Sequence, residues 1–310
     1  MTTQSLSKRV PKKNRFAFII EYITLRSLVI LFWFLPWSVV YKLSDKLGFC
    51  LFHLIKKRRS LIESSLRKSF PNYSDEKISL LVKKTYCKLA DIICENIKTY
   101  SLSPKQQQVL ISKRLKITNP ECLWTELNKN PACFILSAHY ENWEWLGFHL
   151  SLQYPGHIYD IYTSFNNPYI DRYILKMREQ LAPGALMLHR RAFLRKILKD
   201  MGNKNTIQKQ PAVLFFSDQN PRESAPSITT SFLGQETRFM NGPEKLAKQI
   251  GASMVYAKLA CTKRGHYNIT FVPLTSDHTT IEAAAILAEQ VKDDPTSWLY
   301  LHNRWKKRNQ

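Results

Sequence analysis

Between residues 132 and 272 short apolar runs alternate with segments whose apolar positions recur at helical spacing. The runs at 132–137, 157–162, 212–217, 252–258 and 267–272 are too short for helices and rich in β-branched and aromatic residues, so they predict strands. The intervening stretches at 142–153, 170–180, 192–201 and 242–250 predict helices. Strand and helix in alternation predict an α/β fold with a mainly parallel central sheet flanked by helices.

Charge narrows the partners. The chain has 310 residues with 46 Lys and Arg against 24 Asp and Glu, a formal charge of +22. Solubility alone asks for much less on a domain of this size. Such a field attracts polyanions: nucleic acid, anionic lipid or an acidic carrier protein. No nucleic-acid motif with interleaved aromatics accompanies it, which disfavours nucleic acid. The six cysteines form no Cys-x-x-Cys pair and no cluster at metal spacing, so a reducing compartment with no disulfide framework, metal site or cofactor is expected.

The amino-terminal 70 residues concentrate fourteen of the cations against Glu21, Asp45 and Glu63. Within them Ser27 to Tyr41 carry no charge. Fifteen residues interrupted by Pro36 fall short of the roughly 20 that a spanning helix needs. The late start and the basic sequence that follows disfavour a secretory signal. A span extended by its flanks and an anchor lying in the membrane interface both fit, and equally basic flanks give no orientation. Residues 1–60 are therefore expected to form a basic, hydrophobic membrane-anchoring region. Leu43, Leu47, Leu51, Leu54 and Ile55 repeat at helical spacing towards Lys56 to Arg59, a cluster suited to an anionic membrane surface. Ser74 followed by Asp75 and Glu76 predicts the start of a helix running to about Tyr100.

One constellation carries chemistry. His139 directly follows the predicted strand 132–137, and a helix begins just after it. Ligands of open α/β sheets gather at the carboxyl ends of strands. Glu144 lies five residues on, so the two side chains meet only if His139 sits in the turn before the helix and Glu144 in its first turn. An imidazole there can take a proton from an alcohol, with a carboxylate on its other nitrogen to fix the tautomer. The alcohol then belongs to the substrate.

At these residues the sequence resembles the lipid A biosynthesis acyltransferases, the lauroyl and myristoyl transferases of His-x4-Glu type. More distantly it resembles the glycerolipid acyltransferases. Arg59 through Ser69-Phe-Pro71, His139 through Glu144, Ser217-Asp-Gln219, Phe232-Leu-Gly234, Gly242 with Leu246-Ala247, and Trp298 through Lys306 fall in the family's order. The resemblance implies a glycerolipid-acyltransferase-like domain over residues 61–310. It implies His139 as base and Glu144 as its orienting carboxylate. Arg178 would clamp a phosphate or the oxyanion, Asp218 and Gln219 would line the same crevice, and Arg304 would face phosphorylated headgroups.

The expected activity is an O-acyltransferase. It would move a fatty acyl chain from an acyl thioester, acyl carrier protein or acyl-CoA, to a hydroxyl of a lipid A precursor in lipopolysaccharide biosynthesis, at the cytoplasmic face of a bacterial inner membrane. An acidic carrier protein suits the basic surface. A lysophospholipid or another membrane glycolipid is the alternative acceptor, and a basic peripheral membrane-binding protein without catalysis is the non-enzymatic alternative.

Overall fold

A computed structural model describes residues 14–155, 158–181, 186–189, 193–202 and 210–305. The first thirteen residues, His157, Ala192 and the end of the basic carboxyl terminus lie outside them.

Four helices come first: α1 (Arg15–Phe34), α2 (Trp37–Leu54), α3 (Lys56–Ser69) and α4 (Asp75–Ser101). The uncharged run at 27–41 is not one helix. Pro36 lacks an amide donor and turns the chain between α1 and α2. The Lys56 to Arg59 cluster opens α3 and does not end the preceding helix, because the helix breaks at Ile55. Ser74 caps α4 as its position predicts, accepting a hydrogen bond from the Lys77 amide at 3.3 Å.

The remainder alternates: α5 (Pro104–Arg114), β1 (Leu115–Ile117), α6 (Pro120–Lys129), β2 (Cys133–Ser137), α7 (Trp143–Gln153), β3 (Ile158–Tyr162), α8 (Pro168–Leu181), β4 (Leu186–His189), α9 (Phe193–Gly202) and β5 (Ala212–Phe216). A hairpin of β6 (Ser227–Phe232) and β7 (Gln235–Met240) follows, then α10 (Gly242–Ile250), β8 (Ser253–Lys263), β9 (His266–Pro273) and α11 (Thr279–Asp293). Seven strands form one sheet in the order β1-β9-β8-β2-β5-β3-β4, parallel throughout except for the β8–β9 pair. The mainly parallel α/β sheet expected from the alternation is therefore present.

Both faces of this sheet are covered, which explains why its strands read as continuous apolar runs. Phe134 and Leu136 of β2 point to one side with Val213, Phe215, Met254 and Tyr256, under Ala284, Leu287 and Val291 of α11. Cys133 and Ile135 point to the other with Leu214 and Val255, under Trp145, Leu146 and Leu150 of α7. Each large side chain buried in these layers contributes roughly 1.5–3 kcal/mol relative to exposure.

The hairpin turn is Leu233-Gly234, both at positive φ (53° and 74°), as a two-residue primed turn requires. Leu233 tolerates that backbone because its side chain is buried.

Candidate active site

β2 and β5 are parallel neighbours with Ser137 opposite Phe216. His139 and Asp218 each stand two residues beyond those paired ends, so the register alone brings them together. The Ser217 amide donates to the Ser137 carbonyl at 3.1 Å and extends the pairing past the strands. His139 Nδ1 and Asp218 Oδ1 are 2.7 Å apart, and the His139 amide donates to Asp218 Oδ2 at 3.1 Å. Trp298 Nε1 donates to the same Oδ2 at 2.9 Å. A buried carboxylate held by three donors fixes the ring as the Nδ1–H tautomer and leaves Nε2 with its lone pair. Gln219 Nε2 lies 3.5 Å from that nitrogen. Trp143 and Phe216 pack against the ring, with centroids 5.3 and 5.1 Å away.

The electrostatics follow from this geometry. Burial works to lower the His139 pKa, but the Asp218 carboxylate and its hydrogen bond outweigh it, and Glu144 adds to them, so the net shift is upward. Burial works to raise Asp218, yet His139 and the hydrogen bonds from His139 and Trp298 hold it below the usual carboxylate range.

The carboxylate on the His139 ring is thus Asp218, and the expectation that Glu144 would occupy that place is corrected. Asn142 caps α7 through its side chain, so Glu144 falls in the helix's first turn, as the spacing required. There it turns to α8, where Arg178 Nη2 reaches both carboxylate oxygens at 2.7 and 2.6 Å. Asp160, on the same face in β3, joins this group. Burial pushes its carboxyl up to about 6, with Arg178 lowering it and Glu144 raising it. Burial works to lower Arg178, but Glu144, Tyr100 and Asp160 keep it a firm cation. Arg178, expected as a clamp for a phosphate or oxyanion, is thus ion-paired with Glu144 through Nη2 and does not stand as a lone cation.

Arg304 does not face outward. It is 5% exposed, bonded to Asn220 Oδ1 at 2.5 Å and the Arg238 carbonyl at 2.6 Å, and lies over the Phe239 ring. Burial lowers its pKa to about 10, against the pull of Asp218. Gln219, by contrast, lies exposed beside His139.

Each residue of the turn from His139 to Asn142 is anchored separately. The Leu299 amide donates to the His139 carbonyl, and Tyr140 pairs with Trp298. Glu141, at φ 50°, has its amide on the Ser297 carbonyl and its carboxylate on Lys88 Nζ at 2.9 Å and Ser297 Oγ at 2.5 Å. Asn142 Nδ2 donates to the buried Glu95 at 2.7 Å, which also accepts from Tyr41 and Tyr267 at 2.9 and 2.8 Å. Burial pushes the Glu95 carboxyl up to about 7, with its three donors and Asp91 as smaller influences.

Asp160, Glu95, Lys88 and the Trp298 bond to Asp218 escaped sequence reasoning. Asp160 left a signal, a lone acid in an apolar strand, and Trp298 stood in a motif without a role. Glu95 and Lys88 are spaced like any polar residues of a long helix.

Among individually curated proteins nothing matches this chain. The profile of the bacterial lipid A biosynthesis acyltransferases matches residues 9–307, nearly its whole length. A strand-end histidine with its own carboxylate, in a chain matched from end to end, gives the family: this protein belongs to the bacterial lipid A biosynthesis acyltransferases.

Proposed function

We propose that the protein transfers a fatty acyl chain from an acyl thioester to a hydroxyl of a lipid A precursor, and so acts as an O-acyltransferase in lipopolysaccharide biosynthesis. The observation that carries this reading is the partly exposed His139, whose Nδ1 is held by Asp218 while Nε2 keeps its lone pair, 3.5 Å from the exposed Gln219 amide. His139 takes the proton of the acceptor hydroxyl as its oxygen attacks the thioester carbonyl. The C–O bond forms, the C–S bond breaks, and the imidazolium returns its proton to the departing thiolate. Asp218 stabilises that imidazolium, and Trp298 holds Asp218.

Glu144, fixed by Arg178 and exposed over about a fifth of its side chain, is an acceptor-only group suited to the hydroxyls of a sugar. It and Gln219 orient the acceptor, while Arg304 supports the Asp218–Asn220 segment from behind. The basic surface suits acyl carrier protein as donor, through steered association. Residues 1–60 anchor the acyltransferase domain of residues 61–310 at the cytoplasmic face of the inner membrane.

Labelled acyl carrier protein, acyl-CoA and a lipid A precursor, incubated with the purified protein, test the assignment directly. Transfer to the precursor that is lost in His139→Ala is the expected outcome. Transfer to a lysophospholipid instead, or transfer unaffected by His139→Ala, would overturn it.

A further inference from the structure

α1 is the helix, among the described residues, long and apolar enough to cross a membrane by length and composition. Its packing argues for another placement. Phe18, Tyr22, Leu25, Val29 and Phe32 recur at alternating spacings of four and three and form the stripe that is buried or half-buried. At 100° per residue these five positions fall on one face. The opposite face carries Phe16, Ile20, Ile23, Ile30, Leu31 and Phe34, each between 48% and 77% exposed, with the uncharged Thr24 and Ser27 among them.

The buried stripe is fastened along the length of the helix. Asn167 Nδ2 donates to the Phe18 carbonyl and to Glu21 at 2.8 and 2.9 Å. Tyr22 packs on Tyr169 and Tyr173, and Arg26 lies over the Tyr173 ring. At the far end Lys98 Nζ donates to the Phe32 and Trp33 carbonyls at 2.8 and 3.3 Å, closing the helix C-terminus with a cation. α1 therefore runs along α8 and onto α4.

A helix docked this way cannot stand across a bilayer by itself. Upright, it would hold α8 at the depth of the hydrocarbon, with Arg172 and Lys176 exposed on it. Each such charge near the bilayer centre costs about 2.5–3.5 kcal/mol. Lying flat, the same helix buries its outward ridge at the headgroup boundary. Arg26 and Lys176, which line the groove beside it, then meet phosphates. Glu21, the one acid of α1, is tied to Asn167.

We infer that α1 is an in-plane helix, which seats the protein on one leaflet of an anionic bilayer through the ridge from Phe16 to Phe34. This rests on the membrane association proposed above and gives it a geometry. Through α8 the same seat connects to the Glu144–Arg178 pair, because α8 carries Arg178.

The full-length protein, with the unburied Cys50, Cys87, Cys122 and Cys261 replaced by serine, is tested on vesicles of phosphatidylethanolamine and phosphatidylglycerol. Spin labels at Phe16→Cys, Ile23→Cys and Ile30→Cys, seven residues apart on one face, report depth. The in-plane helix gives one shallow depth for all three, about 5–10 Å below the headgroups. Ile23→Lys lowers partitioning about ten-fold or more. A label at position 23 deeper than the other two by about 10 Å, the rise of seven residues, would show a span and overturn the inference while leaving membrane association intact. Failure of the unlabelled protein to float with the vesicles would overturn membrane association and the inference with it. Normal floating with unchanged partitioning of Ile23→Lys would overturn the ridge as the seat, and the inference with it, while leaving membrane association intact.

Discussion

Two ion pairs lie five residues apart in the turn after β2, and they differ in what their charges can do. His139 with Asp218 joins an acid to a base whose pKa that acid raises, and whose outer nitrogen keeps its lone pair 3.5 Å from the exposed Gln219 amide. Glu144 with Arg178 joins an acid to a cation that does not titrate in the physiological range, and both carboxylate oxygens are engaged. The first pair can move a proton. The second can hold a shape. Nearness in sequence to the histidine is thus no guide to which carboxylate serves it; strand register is.

The largest expected effect breaks the first pair. His139→Ala should lower kcat by about 10²–10⁴-fold, the usual worth of a positioned general base. Asp218→Asn should approach that loss, since an amide neither stabilises the imidazolium nor secures the tautomer. The pH profile separates the two pairs. With Asp218 raising the His139 pKa, kcat/KM should rise with pH and level off above that raised value. Asp218→Asn should move this acid limb to lower pH while reducing the plateau. Glu144→Gln should move the limb only slightly, because its influence on His139 is the weaker one, and should act mainly on the KM for the acceptor. A larger limb shift in Glu144→Gln than in Asp218→Asn would reverse the assignment.

Stability distinguishes the pairs in the other direction. Arg178→Met leaves Glu144 and Asp160 beside each other without their cation. Breaking a buried pair from one side costs about 3–5 kcal/mol, and the partial exposure of Glu144 reduces this to about 2 kcal/mol. The double variant Arg178→Met with Glu144→Gln should lose less than the sum of the single losses in denaturant unfolding. Additive losses would show that the two side chains do not stabilise each other.

What the sequence made legible is local. The strand before His139, the helix after it and the cap at Ser74 follow from short-range patterns, and the parallel sheet from their alternation. The insertion of β5 between β2 and its chain neighbour β3 is a choice among long-range pairings, and no local pattern encodes it. Asp218, 79 residues from His139, could therefore be assigned to the crevice but not to the ring. Likewise the tryptophan at 298 reaches Asp218 only because Phe232, Tyr300 and Trp305 pack round it. The β6–β7 hairpin went unread because Leu233 is an unusual residue for its turn. The exposed face of α1 is as apolar as its buried one, so periodicity could not tell docking from spanning.

A smaller effect should come from the support behind the turn. Glu95 has a folded pKa of about 7, above its ordinary value. The proton it binds on folding gives stability that is present below about pH 4.5 and is lost as pH rises through 7. Glu95→Gln should flatten the fall in Tm between pH 5 and pH 8, and a mild loss of kcat should follow from the weakened hold on Asn142. An unchanged slope would mean that Glu95 stays ionised, with its three donors outweighing burial.

The smallest effect concerns the space beside the Glu144–Arg178 pair. A Cβ added at Gly147 would stand 3.1 Å from Asp160 Oδ2 and 3.6 Å from Leu214 Cδ2, so the carboxylate must give by a few tenths of an ångström. Alanine in place of a helical glycine gains up to about 1 kcal/mol, which offsets this crowding. Gly147→Ala should therefore change stability by less than about 1 kcal/mol. Its mark should be on the Asp160–Arg178–Glu144 group, as a few-fold rise in the KM for the acceptor with the acid limb of kcat/KM unmoved. A limb displaced as far as in Asp218→Asn would show that the proton-moving pair and the shape-holding pair are one network, and that Glu144 governs His139 through its neighbours after all.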